Sequence, residues 1–129
     1  MGSLERISKL RILIVEDNAS FRDVIKEKIR VSFPAMTIYE AADGKDALEK
    51  VEALKPEIIF MDIRLPGENG LQLTQKITKK YPNTKVIILT SYDCPEYRQA
   101  AFQSGGICYL RKDSLIYVEF EQLIRSLVP

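Results

Sequence analysis

Four short apolar runs in this 129-residue chain end in side chains that can do chemistry. Ile12-Leu13-Ile14-Val15 runs into Glu16-Asp17, and Ile58-Ile59-Phe60-Met61 runs into Asp62, just before a turn at Pro66-Gly67. Val86-Ile87-Ile88-Leu89 ends in Thr90-Ser91, and the shorter Cys108-Tyr109-Leu110 ends near Lys112. As parallel strands of one sheet, these runs would bring three carboxylates, two hydroxyls and an ammonium to a single edge. Carboxylates about 5 Å apart repel by roughly 3 kcal/mol at an effective dielectric near 20, so such a cluster needs cations. Lys112 supplies one. A divalent ion with oxygen ligands would supply the rest, and Mg²⁺ suits a site of one or two carboxylates that keeps its waters. The chain has no His and no thiolate at ligand spacing, so a softer metal has little to bind. A metal ion, a Lys and a hydroxyl around one carboxylate are the parts that stabilise a transferring phosphoryl group. The carboxylate itself can be the nucleophile and form an aspartyl phosphate. Asp62, on the central run with a turn directly after it, is the best placed for that role.

The elements that must position these residues alternate along the chain. Apolar, β-branched-rich runs give way to helical patterns, the signature of βαβ units and a parallel sheet. Strands are predicted near Arg11 to Val15, Thr37 to Ala41, Glu57 to Met61, Lys85 to Thr90 and Cys108 to Arg111. Asn18 or Ser20 caps a first helix with Phe21, Val24, Ile25 and Ile29 at helical spacing, closed by Phe33-Pro34. Asp43 caps a second helix (Ala47, Leu48, Val51, Leu54), which Pro56 breaks, and Asn69 caps a third (Leu73, Ile77). Pro95 opens a fourth, where its missing N–H costs nothing, and Gly105-Gly106 end it. Asp113 or Ser114 caps a last helix whose Ile116, Phe120, Leu123, Ile124 and Leu127 face inward. Five strands and five helices in strict alternation predict a doubly wound α/β fold. Ligands in such sheets bind outside the carboxyl ends of the strands, where the strand order reverses.

Composition bounds the alternatives. The length suits one domain with a full core, and 46% hydrophobic with 29% charged residues is ordinary for a globular protein. A net charge of +1 argues against a nucleic-acid surface, and two cysteines without ligand spacing read as reduced thiols in a cytoplasmic protein. Redox chemistry at Cys94 and Cys108 is not expected. No apolar run approaches the ~20 residues that span a bilayer. Residues 1–9 read as an N-terminal extension, Met1-Gly2-Ser3 having the look of a cloning remnant, and 10–129 as the domain. Lacking His, this chain cannot itself be a phosphohistidine donor.

With Ile12-Leu13-Ile14-Val15-Glu16-Asp17-Asn18, Met61-Asp62-Ile63-Arg64-Leu65-Pro66-Gly67, Leu89-Thr90-Ser91 and Gly105-Gly106-Ile107-Cys108-Tyr109-Leu110-Arg111-Lys112 in order, the chain resembles the receiver domain of two-component response regulators. The resemblance covers roughly Leu10 to Leu127. It implies a flavodoxin-like sheet of order 2-1-3-4-5 and a role for each matching residue. Asp62 would accept a phosphoryl group from the phosphohistidine of a sensor histidine kinase or phosphotransfer protein. Glu16 and Asp17 would organise Mg²⁺, with Asp62 and the backbone carbonyl of Arg64 completing the protein ligands. Thr90 would hydrogen-bond the phosphoryl oxygens, Lys112 would pair with their charge, and Tyr109 would be the switch aromatic that turns inward as Thr90 moves. The fourth helix and its flanks would then shift, and a homodimer on phosphorylation is implied only by the resemblance. Bulky Arg64 and Tyr92, at positions the family uses to tune phosphoryl lifetime, imply slow self-hydrolysis.

The chain departs from the family pattern at Gly106, where Ala is usual, at Cys108, where Gly is common, and at Asp113, where many receivers have Pro. The last puts a cis bond after Lys112 in doubt, since it costs a non-proline residue about 3 kcal/mol. Lys112-Asp113-Ser114 looks more like receivers joined to helix-turn-helix output domains. On that reading the chain is the regulatory half of a transcription factor ending near Val128-Pro129; the other version is a stand-alone receiver. This chain alone is not expected to bind DNA.

Each motif also has a plain structural reading. Glu16-Asp17-Asn18 can simply suit a helix N-terminus. Thr90-Ser91 can be loop hydroxyls, Lys112 a solvated side chain, and Tyr109 half-buried packing. Glu96-Tyr97-Arg98-Gln99 is either a polar face or a docking surface. Two rival functions remain beside a phosphoacceptor module that turns over no external substrate. A Mg²⁺-dependent phosphohydrolase would want a second acid soon after the nucleophile and a cap. Here Arg64 stands two beyond Asp62, and no segment is spare. A degenerate receiver would lack a key residue, and none is missing.

Overall fold

The computed structural model describes residue 7 and residues 9–128. Most of the stretch assigned to an N-terminal extension, Met1-Gly2-Ser3 included, lies outside the described residues. Of that stretch Ile7 and Lys9 are described, and Ile7 is buried and packs in the core.

Five parallel strands form one sheet in the order β2-β1-β3-β4-β5. They are β1 (Arg11–Val15), β2 (Thr37–Ala41), β3 (Ile58–Asp62), β4 (Lys85–Thr90) and β5 (Cys108–Arg111). Helices follow each strand: α1 (Ala19–Ser32), α2 (Gly44–Leu54), α3 (Gly70–Lys80), α4 (Pro95–Gln103) and α5 (Phe120–Leu127). The flavodoxin-like order is the expected one, with its reversal between β1 and β3.

Because side chains alternate across a strand, each apolar run feeds two cores. Ile12, Ile14, Ile58, Phe60, Ile87 and Leu89 face α1 and α5, meeting Ile25, Ile29, Phe120 and Ile124. Leu13, Val15, Ile59, Met61, Val86 and Ile88 face α2 to α4, meeting Ala47, Val51, Leu73, Ile77 and Ala101. Runs buried on both faces read as continuously apolar, as a covered parallel sheet requires.

Asn18, Asp43 and Asn69 cap α1, α2 and α3 with side-chain oxygens that accept from Phe21, Asp46 and Leu71 N–H groups. Pro95 stands in the first turn of α4. Gly105, at φ +106°, reverses the chain after α4 against the Thr78 side chain, a conformation and a clearance no larger residue has.

Four local expectations are corrected. The third strand runs from Ile58 to Asp62, so Asp62 itself is the last strand residue. Asp113 and Ser114 do not cap the last helix: they lie in a 3₁₀ segment, Lys112–Tyr117, and α5 begins only at Phe120. Ile116, expected inward, is 66% exposed, because the tighter 3₁₀ turn gives its buried position to Leu115. Val24 likewise stands 44% exposed on the rim of α1 beside buried Ile25. The Lys112–Asp113 peptide is trans.

Candidate functional site

Register brings the strand ends together. Val15 pairs with Met61, Asp62 with Leu89 and Thr90 with Arg111, so the residues at or just past the end of each strand share one carboxyl edge. A cleft of about 290 Å³ opens there, lined by Glu16, Asp17, Asn18, Asp62, Ile63, Arg64, Thr90, Ser91 and Lys112. Every side chain singled out for the cleft from the sequence lines it, and Tyr109 lies beneath α4.

Asp62 is the centre. One of its oxygens pairs with the Lys112 ammonium at 3.0 Å, and the other accepts from the Arg64 N–H at 3.3 Å. Its backbone is pinned as well. The start of α3 passes so close that a Cβ at Gly70 would run into the Asp62 carbonyl oxygen, and the Gly70 N–H donates to Ile63 at 2.7 Å. Glu16 is fully buried; one oxygen pairs with Lys112 and the other accepts from the Asn18 N–H at 3.1 Å.

One ammonium therefore serves two carboxylates, with a third, that of Asp17, beside them. Burial pushes the Glu16 carboxyl up to about 7; Lys112 and the Asn18 N–H oppose that rise, and Asp17 and Asp62 add to it. For Lys112, burial acts downward, but Glu16 and Asp62 outweigh it and hold the ammonium above its ordinary range. The Phe21 ring lies 5.0 Å from the Lys112 nitrogen, a cation–π contact that covers the ammonium from the α1 side. In the sequence alone, Phe21 is no more than an apolar position of a helix.

Oxygens of Glu16, Asp17 and Asp62 lie within 4.8 Å of one another. These are three hard donors around one point with excess negative charge, which fits a small divalent cation such as Mg²⁺. Thr90 is buried, and its hydroxyl donates to the Tyr92 carbonyl at 2.7 Å while accepting from the Tyr92 N–H at 3.1 Å. Tyr109 lies inward in this structure, with the Arg98 guanidinium 4.8 Å over its ring and its buried hydroxyl unpartnered among the described residues. Burial pushes that phenol up, and the Asp93 carboxylate adds to the rise.

These contacts outline an acidic cleft at the switch point of a doubly wound sheet, where ligands of such sheets bind. The family model described as the response regulator receiver domain matches residues 12–124, and the chain belongs to that family. Among curated relatives, the transcriptional regulatory protein DegU of Brevibacillus brevis is 31% identical over 82% of this chain and 45% of its own length. The oxygen regulatory protein NreC of Staphylococcus haemolyticus is 35% identical over 81% of this chain and 49% of its own. The signal receiver domain of the putative response regulator NarL from Mycobacterium tuberculosis superposes with a TM-score of 0.80 at 26% identity, covering 92% of this chain and 96% of that one. The chain spans about half the length of the curated relatives it matches. No helix among the described residues is long and apolar enough to cross a membrane.

Proposed function

We propose that this domain accepts a phosphoryl group on Asp62 from the phosphohistidine of a sensor kinase or phosphotransfer protein, and that Mg²⁺ is required. The observation that carries the reading is the meeting of Asp62, Glu16, Asp17, Thr90 and Lys112 in one cleft, with Asp62 in its middle. In the reaction an Asp62 carboxylate oxygen attacks phosphorus, a new O–P bond forms, and the N–P bond of the donor breaks. The leaving imidazole keeps the electron pair of that bond and takes a proton. Dephosphorylation is the attack of water on the same phosphorus, returning the carboxylate and releasing inorganic phosphate. The domain would thus catalyse only its own modification and turn over no external substrate.

Glu16, Asp17, Asp62 and the backbone carbonyl of Arg64 would hold the ion. When bound, Mg²⁺ would offset the charge of the carboxylates and of the incoming phosphoryl oxygens. Lys112, already against Asp62, is placed to pair with a phosphoryl oxygen. The Thr90 hydroxyl is spent on the Tyr92 backbone, so bonding a phosphoryl group means breaking that turn. This links the cleft to the α4 flank, where Tyr92 packs edge-on against Tyr97 at 5.9 Å between ring centres. A group carrying nearly two negative charges would then bias the surface formed by α4, β5 and α5. The names of the relatives support transcription as the output, through a DNA-binding domain outside these 129 residues; a homodimer on phosphorylation and a cytoplasmic setting complete the reading.

Intact mass after incubation with acetyl phosphate and Mg²⁺ tests the reading. One labile phosphoryl adduct is expected, absent in chelator and in Asp62→Asn. No adduct, and no response to beryllofluoride, would leave a degenerate receiver.

A further inference from the structure

The strand ladder of β1 stops at Val15, yet Glu16 and Asp17 beyond it must be held to a fraction of an ångström if they are to share an ion with Asp62. The backbone of Glu16 is fixed from two sides. Its N–H donates to the Ala41 carbonyl at the end of β2, at 3.0 Å. Its carbonyl accepts from a terminal nitrogen of Arg22, one turn into α1, at 2.5 Å. Arg22 is held in turn: its Nε donates to a Glu40 oxygen at 2.9 Å, while the other Glu40 oxygen pairs with Lys26 at 3.0 Å. Glu40 sits opposite Ile14 in the β1–β2 register, so its side chain shares the α1 face of the sheet. The Arg22 side chain is only 17% exposed.

We propose that Arg22 is a positioning residue for the acidic cluster. Its guanidinium, aimed by Glu40, fixes the Glu16 carbonyl and with it the peptide plane that carries Asp17. A planar fork with donors in fixed directions can bond a carboxylate and a carbonyl at once, which an ammonium does poorly. Without it, the Val15–Glu16 peptide keeps its bond to β2 but the Glu16–Asp17 peptide is free to rotate, and the Asp17 oxygen leaves the triad for part of the time. The inference rests on the reading of Glu16, Asp17 and Asp62 as the Mg²⁺ site.

Simple electrostatics gives the opposite sign, which makes the proposal testable. Deleting a cation near an acidic site should tighten Mg²⁺ binding, whereas deleting a positioning group should weaken it. The experiment is calorimetric titration of Mg²⁺ into wild type, Arg22→Met, Glu40→Gln and Arg30→Met, the last removing an exposed charge from the end of the same helix. Arg22→Met is expected to lose about tenfold in Mg²⁺ affinity, the lower end of what partners of metal ligands contribute. Glu40→Gln should lose a few-fold, and Arg30→Met should match wild type. Acetyl phosphate labelling of Arg22→Met should recover at saturating Mg²⁺. Unchanged or tighter binding in Arg22→Met, or equal loss in Arg30→Met, overturns the proposal. If Arg22→Met does not fold, Glu40→Gln decides, and wild-type affinity there overturns it. Wild type failing to bind Mg²⁺ would sink the functional reading instead. The positioning role is then read from amide exchange of Glu16 to Asn18 in metal-free protein, which Arg22→Met should accelerate and which, if unchanged, refutes it.

Discussion

Lys112→Met is the substitution that most directly probes the charge balance of the cleft. Met keeps the aliphatic stem and removes the ammonium, leaving Glu16 and Asp62 buried with oxygens within 4.8 Å and no cation between them. Ionised together they would repel by about 3.5 kcal/mol at an effective dielectric of 20. That is an upper limit, because Glu16 can take up a proton instead. Its pKa stands at about 7 with Lys112 in place and must rise further without it. A carboxyl whose folded pKa exceeds its unfolded value, here near 4.5, has its full stability below the unfolded value and loses it as pH rises through the folded one. Metal-free wild type should therefore weaken between about pH 4.5 and 7 and then level off, whereas the variant should go on weakening. At pH 5.5 Glu16 is protonated in both proteins, and the variant should lose only the pairing of Lys112 to buried Asp62, about 3 kcal/mol. At pH 8.5 the extra cost of keeping Glu16 protonated is about 2 kcal/mol, roughly 8 °C in Tm for a domain of this size. Thermal melts in chelator at the two pH values measure this. Equal losses at both, or none at pH 8.5, would refute the coupling.

The same geometry sets three further outcomes. With Glu16 half-protonated near neutrality, Mg²⁺ binding at pH 7 should release a fraction of a proton and at pH 8.5 almost none, read from calorimetric heats in buffers of different ionisation enthalpy. Gly70→Ala drives a methyl into the Asp62 carbonyl and should cost at least about 3 kcal/mol by denaturant unfolding, with Mg²⁺ binding impaired in whatever folds; a cost below about 1 kcal/mol would mean that the β3–α3 junction yields easily. Tyr109→Phe removes a buried hydroxyl without a partner among the described residues and should be neutral or stabilising by up to about 1 kcal/mol in the unphosphorylated domain, whereas clear destabilisation would mean that the hydroxyl is bonded.

The strands were legible because runs such as Ile58 to Met61 are apolar on both faces, which only a covered parallel strand demands, and four of the five strands fall where expected. Caps were legible because Asn18, Asp43 and Asn69 precede their helices in the positions that orphan N–H groups need. The start of α5 was not. Asp113-Ser114 before Leu115 and Ile116 imitates a cap followed by a helical face, and only packing shows that the turn is 3₁₀ and that Leu115 goes in while Ile116 stays out. In the cleft, residue types and order were enough to collect Glu16, Asp17, Asp62, Thr90 and Lys112. Arg22 was not legible, since one Arg on an amphipathic helix reads as a solvated charge until its carbonyl and carboxylate partners are seen. The Thr90 hydroxyl turned onto the Tyr92 backbone is likewise a matter of loop conformation, which no spacing encodes.

The most direct test of the central claim is to trap the modified side chain. Reduction of the acetyl phosphate-treated domain with borohydride converts an acyl phosphate to an alcohol, and peptide mass analysis then locates it. Homoserine at position 62 alone, formed only when Mg²⁺ is present, is the expected result. Homoserine at another position, or unmodified Asp62 in a preparation that carries a phosphoryl adduct, would contradict the account.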